Sequence, residues 1–537
     1  MNLFDAIFSH DASAPAIRFG RRLITYGELR GETLQMAQVI KHLGVNSGDR
    51  IALLLPDSPE FIAAFVATCS LGAIAVPINL ALRADEQCSI LHNSEAVVAF
   101  MEADTCRQLL THAPEKLRSL KQVVSVVPKE EEDSDEAGAH VSVTHEQLRN
   151  PPLMVHDLVG LLDQVTAGEE PELPQFPAPG HDDPAFILYT SGSTGEPKGA
   201  VHTQSDVFYT NDTYCREVLR VTPADRLFSS SRLPFAYGLG NSFTFPLLNG
   251  ATTILCREKP SPDIIARNFK EHCPTIFFAV PVVYNLLLEH HRRGNRLECA
   301  SLRFCVSAGE ALPAHLGEEW EREFGVQLLD GIGSTELLHM FMSNHENDVR
   351  YGSSGKLLHG YEARLLDEHG EPAATGVEGD LWIKGDSASR FYWENPEASA
   401  QTFVDGWVRT GDLYRCDEDG FWFHSGRSDD CFKSSGRWVS PVQVEGVLLR
   451  HPQVARAAVV EDFDADGLPC PCAFVVRQEV ESDTGRLEHE LRKLAAESLA
   501  RFKQPRRYLF VTELPYTATG KIQRFKLRRE LRSMKSV

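Results

Sequence analysis

The sequence lacks the patterns by which structural zinc sites, secretion signals and membrane spans are recognised. Its 12 cysteines include no Cys-x-x-Cys pair, and no histidines lie beside them at zinc-finger spacing. The N-terminus has no basic segment followed by a long apolar run, and no stretch of about 18 apolar residues occurs. Scattered thiols without a pairing pattern are typical of a reduced, cytosolic protein. We therefore expect a cytoplasmic protein with no signal peptide and no transmembrane helix.

The charge of the chain is strongly negative. Its 537 residues contain 75 Asp and Glu against 54 Lys and Arg, a formal net charge of −21. Such an excess disfavours unspecific attraction to nucleic acid or to an anionic membrane surface. The distribution is uneven, because residues 501–537 contain eleven Lys and Arg and only two Asp and Glu. We predict no nucleic acid and no membrane as a partner, and a basic, solvated helix over residues 524–535.

Apolar runs and helical spacing alternate along most of the chain. In the first third, strand-like runs at 51–55, 73–77 and 97–100 are separated by helical patterns at 59–69 and 84–92. Strands separated by helices of about 10–15 residues indicate parallel βαβ units. After a segment rich in Pro, Gly and acidic residues, further strand-like runs occur at 185–189, 275–280, 302–306 and 326–329. Gly, Ser, Thr or Pro follows each of them, and ligands gather beyond the carboxyl ends of such strands. Runs at 363–366 and 380–384 predict a less regular β-region.

Residues 189–199 read YTSGSTGEPKG and directly follow one of these predicted strands. Their three glycines and four Ser and Thr allow backbone N–H groups and hydroxyls to converge on phosphate oxygens, and Lys198 adds positive charge. The segment is not a Walker A loop, because that motif needs GK[ST] opening a helix, whereas Gly199 follows this lysine. We predict a phosphate-binding loop with ATP contacts from Thr190, Ser191, Gly192, Ser193, Thr194 and Lys198.

Further motifs occur in an order that resembles the acyl-adenylate-forming (ANL) superfamily of acyl- and aryl-CoA synthetases, adenylation domains and luciferases. After residues 189–199 come DGIGSTE at 330–336, WVRTGD at 407–412, GRSDDCFK at 426–433 and TGK at 519–521. The resemblance implies an α/β fold with a large N-terminal domain, residues 1–428, of βαβ-type sheets plus a distorted β-barrel region. A small mobile α+β C-terminal domain would then comprise residues 429–537.

The resemblance also assigns roles to individual residues. Thr335 would donate to the α-phosphate, Glu336 would hold Mg²⁺, and Lys521 would stabilise the charge that develops as the acyl oxygen attacks phosphorus. Asp412 has two acceptor oxygens that suit the ribose hydroxyls. Taken alone, Glu336 is equally well explained as a helix-start carboxylate, and Asp412 is better explained as a turn former. Further ATP contacts are implied at Ser307, Gly309, Glu310, Asp330, Gly331, Ile332 and Arg427.

A hinge and a coenzyme A surface are implied in the last hundred residues. By resemblance the C-terminal domain rotates about Asp429, as in other hinged enzymes. One orientation would bring Lys521 in for adenylation. The other would withdraw that lysine and present Lys433, Gly436 and Trp438 to the thiol acceptor.

Residues 233–240, LPFAYGLG, most resemble the benzoate-CoA ligase branch. Amino-acid adenylation domains commonly have an Asp near the start of this motif, which pairs with the substrate ammonium, whereas Phe235 or Ala236 stands there in this chain. The resemblance implies a flat, mostly apolar pocket for a small aromatic acid, lined by Phe235, Ala236, Tyr237, Gly333, His339 and Met340. Met340 stands where a branched aliphatic residue is expected, and its flexible thioether leaves the ring substituents of the acid open.

The sequence thus predicts a ligase that uses ATP and Mg²⁺ to form an aryl-adenylate and then an aryl-CoA thioester. Only sixteen residues follow Lys521, with no carrier-protein domain, so we expect an acceptor from outside the chain. Free coenzyme A is the simplest acceptor, and a separate carrier protein is the alternative. A nucleotide-binding protein without turnover is disfavoured by the joint presence of Glu336, Asp412 and Lys521. No feature of the sequence is peculiar to a luciferase-like oxidation.

Overall fold

The computed structural model describes residues 2–127, 153–166, 180–191, 197–367, 369–435, 437–464, 467–478, 483–516 and 522–535. The chain packs as two compact units, one formed by Met1–Glu362 with Ile383–Val408 and the other by Ala363–Trp382 with Arg409–Val537. Alternating strands and helices confirm the α/β fold class. The functional division at residues 428 and 429 stays a prediction, because compact packing does not locate a hinge.

A nine-stranded sheet forms one half of the first unit. Its six central strands are parallel, and antiparallel strands close both edges. The strand order is Lys356–Leu357, Met340–Ser343, Gln327–Gly333, Phe304–Ser307, Ile276–Ala279, Arg226–Ser229, Thr252–Leu255, Pro15–Phe19 and Arg22–Thr25. The central strands are short and buried on both faces, which is why their sequences are continuous apolar runs.

A seven-stranded sheet forms the other half of that unit. Its strands lie in the order Met154–Asp157, Gln122–Ser125, Val98–Met101, Arg50–Leu54, Ile74–Pro77, Pro184–Ser191 and Pro197–Thr203. All neighbours are parallel except the last two strands, which form an antiparallel hairpin. This hairpin forms one edge of the sheet and contains both flanks of the predicted phosphate-binding segment, residues 189–191 and 197–199.

Helices of the first unit cover both sheets. They are Leu3–Ile7, Tyr26–His42, Pro59–Ser70, Ala84–Ser94, Ala103–His112, Leu158–Thr166, Gln204–Thr210, Ala236–Leu239, Phe245–Leu248, Pro262–His272, Pro281–Arg292, Ala314–Phe324 and Pro396–Thr402. Single 3₁₀ turns occur at Pro114–Leu117 and Thr335–Leu337, and π-helical segments at Asn211–Leu219 and Gly240–Thr244.

The helix Pro59–Ser70 shows how the core of the first unit is built. Ser58 caps its N-terminus by accepting a hydrogen bond from the backbone of Phe61, and a proline occupies the first turn, where no N–H is needed. Eleven of its twelve residues are buried, so the helix is covered on all sides. Its Phe65 ring lies 5.4 Å from Phe186 of the seven-stranded sheet and 5.3 Å from Phe243. Each such aromatic pair adds about 0.5–1.5 kcal/mol to the burial of its area.

Residues 362–427 contain a small irregular sheet, and an α+β region follows in the second unit. The small sheet contains Glu362–Leu366, Gly379–Lys384, Trp407–Cys416 and Trp422–Arg427, with Phe403–Val404 paired to the third of these strands. The α+β region has a hairpin, Phe432–Ser434 with Arg437–Val439, and a three-stranded sheet of Val454–Phe463, Pro469–Arg477 and Arg507–Val511. Its helices are Pro441–Leu448, Thr484–Ser498 and Arg524–Lys535, with a 3₁₀ turn at Arg501–Lys503.

The last helix is basic, as predicted, but it is not solvated all round. Leu527 and Leu531, four residues apart on one face, are each 2% exposed and pack into the core of the second unit. Its first residue, Arg524, pairs with Asp430 and Glu445 at 3.2 and 2.8 Å. Across the described residues, none of the helices is both long and apolar enough to cross a membrane.

Candidate active site

The hairpin Pro184–Ser191 with Pro197–Thr203 carries the predicted phosphate loop. Thr190 lies opposite Lys198 and Ser191 opposite Pro197 in its antiparallel register. The structure therefore places two predicted ATP contacts, Thr190 and Ser191, on the strand before the loop and a third, Lys198, on the strand after it. The predicted contacts Gly192, Ser193 and Thr194 lie outside the described residues.

A second group of predicted ATP contacts lies where two neighbouring parallel strands end. Ser307 and Asp330 are opposite one another in the register of Phe304–Ser307 and Gln327–Gly333. Both side chains are almost completely buried. Burial raises the pKa of Asp330 well above its ordinary range, although the Ser307 hydroxyl acts in the opposite direction. A raised pKa favours the protonated form of a carboxyl group, which carries no negative charge.

The strand that holds Asp330 also carries Gly331 and Ile332, and the loop after Ser307 carries the other two predicted contacts. Gly309 has a φ of +90°, which a side chain would strain, and Glu310 is half-buried. These residues lie at or just beyond the carboxyl ends of the two parallel strands, as Ser307 and Asp330 do. The grouping agrees with the prediction that ligands gather beyond the carboxyl ends of the strands.

The 3₁₀ turn Thr335–Leu337, which holds two predicted catalytic residues, is fixed through its backbone. Three successive carbonyl oxygens each accept a hydrogen bond: that of Thr335 from His202 Nε2 at 2.7 Å, that of Glu336 from the backbone N–H of Ser389 at 2.7 Å, and that of Leu337 from Ser387 Oγ at 2.9 Å. Three directional bonds on adjacent residues hold the turn in one orientation. The backbone that carries the side chains of Thr335 and Glu336 is therefore held in a fixed orientation.

Tyr392 joins the two nucleotide motifs and was not identified from the sequence. Its hydroxyl donates to Glu336 Oε1 at 2.6 Å, and the Lys198 ammonium lies 5.4 Å from the centre of its ring. The neighbouring residue Trp393 donates its backbone N–H to Gly199, at 2.7 Å. The only sequence signal was the aromatic run at 391–393, which is indistinguishable from core.

Glu336 is the residue on which the predicted Mg²⁺ depends. Its carboxylate is half-buried, and Oε1 accepts one hydrogen bond from Tyr392. A carboxylate has about four acceptor positions, so capacity for a cation is left. No group of three or more His, Cys, Asp or Glu suited to a metal occurs in the part of the chain that the structure describes. The donor set therefore fits Mg²⁺ that is held mainly by phosphate and water, the form in which enzymes commonly bind it.

The predicted pocket residue His339 lies in a cluster of aromatic rings. The rings of Tyr214, Tyr237 and Phe245 lie 5.3, 5.7 and 4.6 Å from it. Burial lowers the pKa of His339 to about 3, although the Tyr237 carbonyl opposes the shift, so the ring is neutral at physiological pH. Tyr214 and Phe245 were not predicted, because only folding brings them to this histidine.

The other predicted pocket residues differ in how closely the structure groups them. Gly333 pairs with Met340 across two antiparallel strands, and a Cβ at Gly333 would lie 2.5 Å from the carbonyl oxygen of His339. A glycine is required there because a backbone atom cannot move away cheaply. Phe235 and Ala236 directly precede Tyr237 at the start of a short helix.

The second unit brings together the predicted ribose contacts. Asp412 and Arg427 are opposite one another on antiparallel strands, and Arg427 Nη1 lies 3.2 Å from Asp412 Oδ1. His424 Nε2 lies 3.5 Å from the same oxygen. Gly411, with φ +72°, has the guanidinium of Arg427 2.9 Å from where its Cβ would be, so a larger residue would displace the arginine.

Two of the predicted coenzyme A contacts also meet. Lys433 and Trp438 pair across the hairpin, and the Lys433 ammonium lies 5.1 Å from the centre of the indole, which is 48% exposed. Asp429 is exposed in the turn before this hairpin. Gly436 and Lys521 lie outside the described residues.

Comparison with known proteins identifies the family. Residues 4–393 match the AMP-binding enzyme family, and residues 443–521 match the AMP-binding enzyme C-terminal domain. The chain belongs to the AMP-binding enzyme family. A relative with 38% identity is the benzoate–CoA ligase of Thauera aromatica, matched over 94% of this chain and 90% of the relative. The suspected membership of the adenylate-forming enzymes is therefore confirmed.

Solved structures of family members have the same fold. The anthranilate CoA ligase AuaEII in complex with anthranoyl-AMP has a TM-score of 0.88 and 33% identity, covering 100% of this chain and 98% of that chain. A benzoate CoA ligase from Burkholderia xenovorans LB400 has a TM-score of 0.85 and 36% identity, covering 98% of this chain and 100% of that chain. These likenesses confirm the fold class for the whole AMP-binding chain.

Proposed function

We propose that this enzyme is an AMP-forming aryl-CoA ligase that activates a small aromatic carboxylic acid with ATP and Mg²⁺. The observation that carries the proposal is a group of neighbouring side chains in the first unit. Glu336, in the turn with Thr335, accepts a hydrogen bond from Tyr392, and the ring of Tyr392 lies beside Lys198. His339, whose ring contacts Tyr237, follows two residues after the turn. The family membership and the benzoate- and anthranilate-CoA ligases among its relatives support this assignment.

The reaction has two half-reactions. A carboxylate oxygen of the acid attacks the α-phosphorus of ATP, the bond to the β-phosphate oxygen breaks, and pyrophosphate leaves. The thiolate of coenzyme A then attacks the acyl carbon, and AMP leaves with the bonding electrons to give the aryl-CoA thioester. Both steps are transfers between bound partners, so catalysis consists mainly of positioning and charge stabilisation.

Each side chain has a proposed part in the first half-reaction. Lys198 neutralises triphosphate charge, Thr335 donates to the α-phosphate, and Glu336 would hold Mg²⁺, which supplies neutralisation of the phosphate oxygens. Lys521 stabilises the charge that develops between the carboxylate and the phosphorus. Asp412 accepts hydrogen bonds from the ribose hydroxyls, and Arg427 donates to Asp412 and orients its carboxylate.

The second half-reaction is assigned to the second unit. We infer that rotation about Asp429 withdraws Lys521 and presents Lys433, Gly436 and Trp438 to coenzyme A. The exposed Trp438 and the Lys433 ammonium beside it offer an apolar face and a positive charge, which suit a pantetheine arm and a phosphate. We also place the enzyme in the cytoplasm, where ATP and coenzyme A are available.

Pyrophosphate release measured over a panel of acids tests this function. We expect turnover with benzoate or with amino- or hydroxybenzoates, and little with aliphatic acids of similar size, because the residues proposed to bind the acid include the rings of Phe235, Tyr237 and His339. Thioester formation is then compared with coenzyme A and with a phosphopantetheine-bearing carrier protein as acceptors. Preference for aliphatic acids, or for the carrier protein, would contradict the assignment.

A further inference from the structure

His202 lies outside every motif that the nucleotide-binding prediction uses, yet it bonds to one of them. It is completely buried on the strand Pro197–Thr203, which leaves the phosphate loop. Its Nδ1 lies 2.8 Å from Asp206 Oδ2, and its Nε2 lies 2.7 Å from the backbone carbonyl oxygen of Thr335. The ring therefore connects the outgoing strand of the first nucleotide motif to the turn of the second.

The ring is held at both of its nitrogens. A carbonyl oxygen has no proton to donate, so Nε2 carries the proton in the bond to Thr335. Asp206, at the other nitrogen, also accepts hydrogen bonds from the backbone N–H and the hydroxyl of Thr203 at 3.1 and 2.8 Å and lies 3.8 Å from Arg390. The side chain that orients the ring is therefore itself fixed by its neighbours.

We propose that His202 is a positioning residue for the adenylation half-reaction. Its Nε2–H holds the turn with Thr335 and Glu336 at a fixed separation from the strand that follows the phosphate loop, and Asp206 fixes the orientation of the ring. The inference rests on the proposed function, because it assumes that these two side chains act on ATP.

A purely structural role makes a different prediction. The His202 ring also stacks on Phe186, with centroids 5.4 Å apart and planes at 23°, so part of its contribution is core packing. Loss of packing lowers the stability of the fold and impairs both half-reactions together. Loss of positioning impairs adenylation more than thioester formation, because Glu336 has no triphosphate to act on once pyrophosphate has left.

The substitutions His202→Gln and His202→Asn form a matched pair. Both are neutral amides, but the amide nitrogen of Gln stands near the position of Nε2, and that of Asn near the position of Nδ1. Gln therefore keeps a donor toward Thr335, whereas Asn keeps one only toward Asp206. We expect His202→Asn to form the aryl-adenylate about tenfold more slowly than His202→Gln, the value of one lost hydrogen bond. Thioester formation from supplied aryl-adenylate and coenzyme A stays equal in the two variants.

The readout is the ratio of the two half-reaction rates within one sample, which does not depend on the folded fraction. Equal adenylation rates for the two variants, or a parallel fall of thioester formation, would overturn the proposal. If neither variant folds, Ser387→Ala replaces them, because it removes the adjacent bond to the carbonyl of Leu337. It must show the same selective loss of adenylation, and an unchanged ratio overturns the inference. Failure of the proposed function is recognised separately, since the unsubstituted enzyme would then release no pyrophosphate with any aromatic acid.

Discussion

The substitution Tyr392→Phe tests whether the two nucleotide motifs are joined as the structure places them. It removes one hydroxyl, which donates to Glu336 Oε1 at 2.6 Å, and keeps the ring beside the Lys198 ammonium. The bond is short and its acceptor is charged, the class of hydrogen bond that contributes most. The change therefore isolates the fixing of Glu336 from the contact with Lys198.

The expected fall in the adenylation rate follows from the strength of the hydrogen bond between Tyr392 and Glu336. A hydrogen bond to a charged group contributes about 1.5–3 kcal/mol, and the Glu336 carboxylate is half-buried. If all of it is lost in the transition state of adenylation, the rate falls about 10- to 150-fold. Thioester formation from supplied aryl-adenylate changes little, because the Glu336 carboxylate acts on the triphosphate. The Mg²⁺ concentration needed for half-maximal adenylation rises, because the free carboxylate must be ordered by the cation itself.

The assay measures aryl-adenylate formation in a single turnover at several Mg²⁺ concentrations. Tyr351→Phe is the matched control, because Tyr351 donates to another carboxylate, that of Glu321, at 2.8 Å. The Tyr351→Phe control should be somewhat less stable than the unsubstituted enzyme and should form the aryl-adenylate at the same rate. Equal effects of the two substitutions on adenylation, or a Tyr392→Phe enzyme with an unchanged rate, would refute the assigned role of the hydroxyl.

Three further predictions concern other parts of the chain. Lys521→Ala should lose most adenylation from the free acid while it still converts supplied aryl-adenylate to the thioester, and equal loss of both would contradict its role. Arg524→Met should destabilise the second unit by about 3–5 kcal/mol in urea unfolding, since it leaves the buried Glu445 unpaired, whereas the exposed Arg486→Met should cost less than about 1 kcal/mol. The pKa of His339 is about 3 when folded and about 6.5 when unfolded, so the unfolded chain binds more protons between these values and stability is lost as pH falls through that range. His339→Gln should make the thermal midpoint less sensitive to pH between 7 and 5, and an identical slope would refute the neutral ring.

The central strands of both sheets could be predicted because strands buried on both faces have continuous runs of apolar residues. The run expected at 51–55 is the strand Arg50–Leu54, and the run at 275–280 is Ile276–Ala279. Strands without such an apolar run are harder to predict. Pro197–Thr203 begins with Pro, Lys and Gly, and its position is set by pairing with Pro184–Ser191 rather than by composition.

The candidate site could be predicted only where a local motif defines it. Thr335 and Glu336 were found because seven consecutive residues match a pattern. Tyr392 and His202 lie 56 and 133 residues from their partners in that turn, and no local property of either residue indicates the contact. Their identification required the topology that places the edge hairpin beside the end of the other sheet.

The negative charge of the chain poses a problem for an enzyme proposed to bind two polyanions, and the structure suggests how the first unit solves it. Asp206, Asp330 and Glu336 are carboxyl groups that lie in or beside the nucleotide motifs. Burial raises the pKa of Asp330 well above its ordinary range, and Asp206 lies 2.8 Å from the His202 ring and 3.8 Å from Arg390. Glu336 is half-buried, and its Oε1 accepts a hydrogen bond from the neutral hydroxyl of Tyr392. Repulsion between this carboxylate and a triphosphate is relieved by a cation between them, which is the physical reason to assign Mg²⁺ to Glu336 rather than to either aspartate.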